Sequence, residues 1–310
     1  MARPVVVGAG EALWDVFPDG EHFGGAPANV ALHAAALGAE AWLVSAVGRD
    51  TRGDAALARL DAAGVRRSTV AQLAEHPTGV VRVSLQDGGH AVYEIAAQSA
   101  WDYVPWSAAV QQVVERADAI VFGSLAQRGR VSRATIRRAV AAARDTSWRL
   151  LDVNLRQSYY DAGVVTTSLE LANAVKLNEE ELPVVAQLCG VAVRGAAPLD
   201  LLRALCDRFG LKLAALTRGA CGALLVTPDA ECESAAPPTE VVDTVGAGDA
   251  FTAALLIGVL TGRSLEEVSR GANAVASYVC SQPGATPPIP EALVGAITRR
   301  ARPTGADTSS

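Results

Sequence analysis

The chain has 310 residues, of which 50% are hydrophobic and 19% are charged, and its formal net charge at pH 7 is −6. This length suits one large α/β domain with an insertion as well as it suits two domains. A negative net charge without a long basic stretch argues against nucleic-acid and anionic-membrane partners. The sequence shows neither a signal-peptide pattern nor an apolar run long enough to span a bilayer, which predicts a cytoplasmic protein.

Short apolar runs alternate with helix-like segments along most of the chain. The first two predicted helices each end at a glycine, Gly38 or Gly64, which is a common stop signal. Such alternation is typical of an α/β fold with a mostly parallel sheet and helices on both faces. The predicted strands are 5–7, 41–47, 119–122, 150–154, 174–177 and 213–217, and the predicted helices are 27–37, 50–63, 132–144, 179–188, 199–209, 248–260 and 265–280.

Two segments depart from this alternation. Residues 79–93 alternate branched apolar with polar residues around Asp87-Gly88-Gly89, which indicates a β-hairpin, and 12–17 is a second candidate strand. We expect both to belong to a small β-sheet lid, formed by about 11–25 and 78–104 and inserted in a single domain of residues 1–310. The alternative is a surface hairpin that has no role in function. The exposed edge of such a sheet could pair two copies of the chain, so a homodimer through the lid is a further expectation.

The clearest chemistry lies in 242–251, where a Gly-Ala-Gly turn leads into an apolar helix. Small residues let backbone N–H groups approach an anion, and the positive end of the helix dipole favours negative charge. Gly246, Ala247 and Gly248 are therefore candidates for holding a phosphate, and Asp249 at the rim is the candidate catalytic base. The alternative for Asp249 is an ordinary helix N-cap.

This segment resembles the C-terminal signature of the ribokinase-type (PfkB) carbohydrate kinases, with five residues in register: Asp243, Thr244, Gly246, Gly248 and Asp249. The N-terminal half is similar to the same family through 10–15 (Gly-Glu-Ala-Leu-Trp-Asp), 23–31 (Phe-Gly-Gly-Ala-Pro-Ala-Asn-Val-Ala), 48–50 (Gly-Arg-Asp) and Gly53. The resemblance covers about residues 4–300 and implies a ribokinase-like fold and an ATP-dependent sugar kinase. The Gly-Gly-Ala-Pro-Ala-Asn stretch and Asp-Val-Asn-Leu-Arg at 152–156 look most like bacterial fructokinases.

The resemblance also implies which residues hold the sugar. Asp15, Gly25 and Asn29 match the family positions that bind sugar hydroxyls, and Gly24 with Gly25 matches the hinge between body and lid. The chemistry agrees, because a carboxylate accepts from hydroxyls and an amide both donates and accepts. Two further substrate-binding candidates follow predicted strands and could equally be solvated surface groups: Gln127 and Arg156.

Other segments match the nucleotide-binding elements of the family. The resemblance places an Asn-x-x-Glu element near the phosphates, with Mg²⁺ held through water, and these residues are Asn178 and Glu181, with Lys176 beside them. A turn after a strand resembles the nucleotide loop through Thr217, Arg218, Gly219 and Gly222, and Asn273 is a candidate neighbour of adenine. Asp243 is a candidate donor to a monovalent cation such as K⁺. The alternative for 179–181 is an ordinary acidic first turn of a helix, and the alternative for 217–222 is a common turn.

Competing enzyme classes fit the sequence less well. Leu13 stands where the dinucleotide-binding fingerprint needs its third glycine, and no Walker-type phosphate loop is present. A non-catalytic regulator that binds sugar or nucleotide remains an alternative. We predict an ATP-dependent kinase for a small carbohydrate, with fructose as first choice. Ribose, 2-keto-3-deoxygluconate, a nucleoside and another ketose stay open, because acceptor choice depends on lid contacts such as Tyr93, Gln98 and Trp101.

Overall fold

The computed structural model describes residues 3–18, 20–85, 91–191 and 195–298. Its strands are β1 Val5–Ala9, β2 Leu13–Phe17, β3 Gly20–Gly24, β4 Glu40–Gly48, β5 Val70–Leu73, β6 Gly79–Leu85, β7 Ala91–Ile95, β8 Ala119–Phe122, β9 Trp148–Asp152, β10 Ala174–Asn178, β11 Leu213–Thr217, β12 Ala223–Val226 and β13 Glu231–Ser234. Its helices are α1 Ala26–Ala36, α2 Thr51–Ala62, α3 Ala108–Arg116, α4 Arg130–Ala142, α5 Ala162–Leu171, α6 Glu181–Leu188, α7 Pro198–Phe209, α8 Ala247–Leu260, α9 Leu265–Cys280 and α10 Glu291–Thr298.

A large sheet forms the body of the molecule. Across the described residues it has nine strands in the order β5-β4-β1-β8-β9-β10-β11-β12-β13. The strands from β5 to β11 are parallel, whereas β12 and β13 complete one edge in antiparallel pairing. The expected mostly parallel α/β sheet is thereby confirmed.

Helices cover both faces of this sheet, as the alternation of side chains along β1 requires. Val5 and Val7 belong to one buried hydrophobic cluster, which is covered by α3 to α7. Val6 between them belongs to a second cluster, which α1, α2 and α8 to α10 cover. Within the described part of the chain, none of these helices is both long enough and apolar enough to cross a bilayer.

A smaller sheet has the strand order β3-β2-β6-β7 and is separate from the large one. Strand β2 pairs antiparallel with β3 and parallel with β6, and β6 pairs antiparallel with β7. All four strands fall inside the two segments predicted to form the lid. The predicted hairpin turn at Asp87-Gly88-Gly89 lies outside the described residues, as does the side chain of Tyr93.

Candidate active site

The candidate site lies where parallel strands end, at the edge of an α/β sheet that commonly binds ligands. Helix α8 begins there after Gly246, whose φ of 76° is left-handed. A Cβ atom at Gly246 would collide with the carbonyl oxygen of Ala285, so the turn requires glycine. Gly246 itself is the N-cap of α8. Asp249 lies in the first turn, and the capping alternative for it is therefore wrong.

Asp249 is a buried carboxylate with a side-chain partner far away in sequence. The Asn29 side chain on α1 donates its Nδ2 hydrogen to Asp249 Oδ2 at 2.8 Å. Burial, with a smaller contribution from the nearby charge of Asp152, raises the pKa of Asp249 to about 7. Asn29, Lys176 and Arg156 oppose this rise. A carboxyl group with this pKa can exchange a proton near neutral pH.

A second buried network, of an ion pair and a hydrogen bond, lies beside the start of α8. Lys176 Nζ lies 3.1 Å from Asp152 Oδ1, and Thr252 Oγ1 donates to Asp152 Oδ2 at 2.8 Å. A Cβ atom at Gly248 would lie 3.0 Å from Lys176 Nζ, which places the ammonium group beside the Gly-Ala-Gly turn. Burial opposes the charge of this lysine, but Asp152, Glu181 and Asp249 outweigh it and raise its pKa. The ammonium therefore stays charged.

The predicted sugar-binding residues lie around the junction of the small and large sheets. Burial raises the pKa of Asp15 to about 6, although the charges of Arg156 and His22 oppose the rise. A Cβ atom at Gly24 would lie 2.7 Å from Asp15 Oδ2, so glycine leaves room for this carboxylate. Gly25 has a φ of 104°, and a Cβ atom there would lie 2.5 Å from the carbonyl oxygen of Glu11, so both the backbone conformation and the space require glycine. Arg156 is exposed.

Glu11 is a neighbour of this group that the sequence did not single out. It is 3% exposed, and its Oε2 atom is buried without a hydrogen-bond partner. Burial raises its pKa, and the charge of Arg156 opposes this shift. Asp152 was also missed as a site residue. A carboxylate at the end of a strand, directly after two leucines, was the signal that could have indicated Asp152.

Gln127 was expected to face the cleft, but its side chain lies inside the body. Its side chain is fully buried, and its Nε2 atom donates to the Gly123 carbonyl and to Ser168 Oγ. Its Oε1 atom accepts from Arg137 Nε at 3.1 Å. Because the amide is used inside the body, Gln127 is better described as a core residue that secures the loop after β8.

The nucleotide-binding candidates gather at the neighbouring strand ends. Asn178 and Thr217 are Cα partners at the ends of β10 and β11. Glu181 accepts the backbone N–H of Leu155 through Oε1 and that of Asn178 through Oε2, at 2.8 and 2.9 Å. Each carboxylate oxygen keeps a second lone pair, so Glu181 fits a Mg²⁺ ion held through water.

The remaining nucleotide-loop residues differ in how they are used. Gly219 and Gly222 both have positive φ, and a Cβ atom at Gly222 would collide with the backbone of β13. Arg218 forms an ion pair with Glu233, and Asn273 donates to the carbonyl and hydroxyl oxygens of Ser234. The side chains of Arg218 and Asn273 therefore bind β13 in this structure. Ligand binding would favour side chains whose polar atoms are free.

Asp243 lies in the loop before α8. Its Oδ1 atom accepts from Val245 N and its Oδ2 atom from Gly284 N, both at 3.0 Å. The second contact joins the loop before α8 to the loop that contains Gly284. Among the described residues, no group of three or more His, Cys, Asp or Glu side chains is arranged to hold a metal ion.

The chain matches known proteins over nearly its whole length. Residues 9–292 match the model of the pfkB family carbohydrate kinases. The fructokinase of Salmonella typhimurium is 31% identical over 264 residues, covering 80% of this chain and 81% of that protein. An uncharacterized sugar kinase from Pyrococcus horikoshii, solved in complex with ATP, superposes with a TM-score of 0.77 at 28% identity and covers 91% of this chain and 94% of that one.

A third relative, the aminoimidazole riboside kinase of Salmonella enterica, was solved with aminoimidazole riboside and an ATP analogue. It superposes with a TM-score of 0.78 at 26% identity, covering 94% of this chain and 99% of that one. The fold and the Gly-Ala-Gly-Asp turn define a sugar kinase. The chain belongs to the pfkB family of carbohydrate kinases, as its sequence motifs predicted.

Proposed function

We propose that this carbohydrate kinase transfers the γ-phosphoryl group of ATP to a hydroxyl of fructose, with Asp249 as the catalytic base. The observation that carries the proposal is the buried Asp249 carboxylate, which accepts from Asn29 and has a pKa of about 7 beside the Gly246–Gly248 turn. A base is most effective when its pKa lies close to the working pH. An N-capping carboxylate would need no such environment.

Phosphoryl transfer requires alignment and charge neutralisation more than covalent chemistry from the protein. Asp249 would take the proton of the acceptor hydroxyl as the sugar oxygen bonds to the γ-phosphorus. The bond between this phosphorus and the β,γ-bridging oxygen breaks, and its electron pair leaves with ADP. Backbone N–H groups at Gly246, Ala247 and Gly248 would stabilise the negative charge of the migrating phosphoryl group, with the Lys176 ammonium close by.

Glu181 would hold a Mg²⁺ ion through water, and the chemistry that this ion supplies when bound is neutralisation of charge on the ATP phosphates. Lys176, Asn178, Thr217, Gly219 and Gly222 would line the nucleotide side. Asp243 would also bind a K⁺ ion, because its two N–H contacts leave lone pairs on the carboxylate.

On the acceptor side, Asp15 and Asn29 would hold sugar hydroxyls. Three carboxylates, those of Glu11, Asp15 and Asp249, lie near two cationic groups, the Arg156 guanidinium and the Lys176 ammonium. This balance favours a neutral sugar over an anionic one. Fructose is supported by the Gly-Gly-Ala-Pro-Ala-Asn stretch and by the similarity to a fructokinase. The similarity to the aminoimidazole riboside kinase favours a riboside as the second candidate.

A panel of acceptors tests this proposal most directly. Purified protein with Mg²⁺ and ATP is assayed for ADP formation with fructose, ribose, 2-keto-3-deoxygluconate and a nucleoside, and without any acceptor. We expect fructose to give the highest kcat/KM. Turnover of ribose or a nucleoside with only background rates on fructose would contradict the substrate assignment. Binding of sugar and ATP without ADP formation would instead favour the non-catalytic regulator.

A further inference from the structure

Helix α1 presents two polar side chains one turn apart, at positions 29 and 33, and these therefore lie on the same face. Asn29 Nδ2 donates to Asp249 at 2.8 Å. His33 is 1% exposed, and its Nε2 atom lies 2.9 Å from the carbonyl oxygen of Ala285. The same helix face thus contacts both the candidate base and a loop 252 residues further along the chain.

The Ala285 backbone is in direct contact with the start of α8. A Cβ atom at Gly246 would collide with the Ala285 carbonyl oxygen and would lie 2.7 Å from its Cα atom. The neighbouring residue Gly284 donates its N–H to Asp243, which precedes the Gly-Ala-Gly turn. The carbonyl that accepts from His33 therefore lies between α1 and the turn that would hold the migrating phosphoryl group.

The chemical state of His33 follows from its surroundings. Burial lowers the pKa of His33 to about 4, and the hydrogen bond to Ala285 opposes the fall only in part. The imidazole is therefore neutral at neutral pH. Because a carbonyl oxygen can only accept, the contact requires the tautomer with hydrogen on Nε2. His33 acts here as a fixed hydrogen-bond donor, not as an acid or a base.

We propose that His33 is a positioning residue for phosphoryl transfer: by holding the Ala285 carbonyl, it fixes Gly246 and the first turn of α8 relative to Asn29 and Asp249. The inference rests on the proposed role of Gly246–Gly248 and Asp249. Misplacement of about 1 Å in a preorganised site can reduce the rate by about 10²-fold, so a lost anchor should reduce turnover.

Two substitutions separate hydrogen bonding from packing. His33→Gln keeps an amide N–H that can reach the carbonyl, whereas His33→Met has similar length but no donor. With the best acceptor of the wild-type enzyme, we expect His33→Met to lower kcat about tenfold or more while both KM values stay within about threefold. His33→Gln should keep kcat within about threefold of wild type. Should His33→Met not fold, His33→Ala is measured in its place below its own melting temperature.

Leu32→Ala is the matched control, because Leu32 is a buried core residue of the same helix and makes no polar contact with Ala285. It should lower the melting temperature but leave kcat near the wild-type value. The proposal is overturned if His33→Met keeps wild-type kcat, if His33→Gln loses as much as His33→Met, or if kcat follows melting temperature through all variants. An Asp249→Asn variant that stays active would instead contradict the assignment of Asp249 as the base, and that result is distinct from each of these outcomes.

Discussion

Buried charge is concentrated around the candidate site. Burial raises the pKa of Glu11, Asp15 and Asp249, and the opposing charges of Arg156 and Lys176 compensate only in part. Such strongly perturbed carboxylates are more frequent at functional sites than elsewhere in proteins. The contact between Asn29 and Asp249 joins residues 220 positions apart, so no local spacing could have predicted it.

The pKa of Asp249 leads to a prediction about pH dependence. A base must be deprotonated to act, so kcat/KM should fall as the pH drops through about 7. Asn29 donates to the charged form, and its removal in Asn29→Ala should move this acidic limb to higher pH. Glu21→Gln is the control, because Glu21 pairs with Arg52 at the surface and should leave the limb in place. An acidic limb near the ordinary aspartate pKa of about 4 would contradict the assignment.

At the scale of elements, strong apolar periodicity was sufficient to locate most helices and strands of the body. The helix predicted at 27–37 is Ala26–Ala36, and the strand predicted at 119–122 has those bounds. Helices α3, α5 and α10 were missed, although Ser107 and Asp161 cap the first two by accepting from a backbone N–H three residues later. A serine or aspartate before an apolar run was the available signal.

The small sheet carries the prediction about assembly. Its outer strands in the described residues are β3 and β7, and an exposed strand edge can pair with a second copy. Sedimentation velocity at micromolar concentration should therefore detect a homodimer, with or without sugar. Sedimentation as a monomer under both conditions would contradict pairing through the lid. Closure of the small sheet over the sugar likewise stays a prediction.

At the scale of the whole molecule, the architecture followed from sequence because strand-helix alternation is encoded locally. The organisation as one domain over 1–310 remains a prediction. Site residues were harder to predict for a physical reason. Gln127 follows a strand as expected of a cleft residue, yet its amide is used by Ser168 and Arg137 inside the body. The direction of a side chain depends on tertiary contacts that a single sequence does not specify.

The substitution Asp249→Asn tests the central claim most directly. Asparagine preserves the shape of the side chain and can still accept from Asn29, but it cannot take a proton. We predict a loss of kcat of about 10²-fold or more, with the KM for ATP little changed because the backbone N–H groups remain.

The stability of the same variant provides its control. The pKa of Asp249 is raised from 3.8 to about 7 in the folded state, so the cost of its charge grows as the pH rises between these two values and is complete above about pH 7. A neutral asparagine should therefore melt at an equal or higher temperature than wild type at about pH 8. A folded Asp249→Asn protein that keeps more than about a tenth of the wild-type kcat would contradict the role of Asp249 as the base.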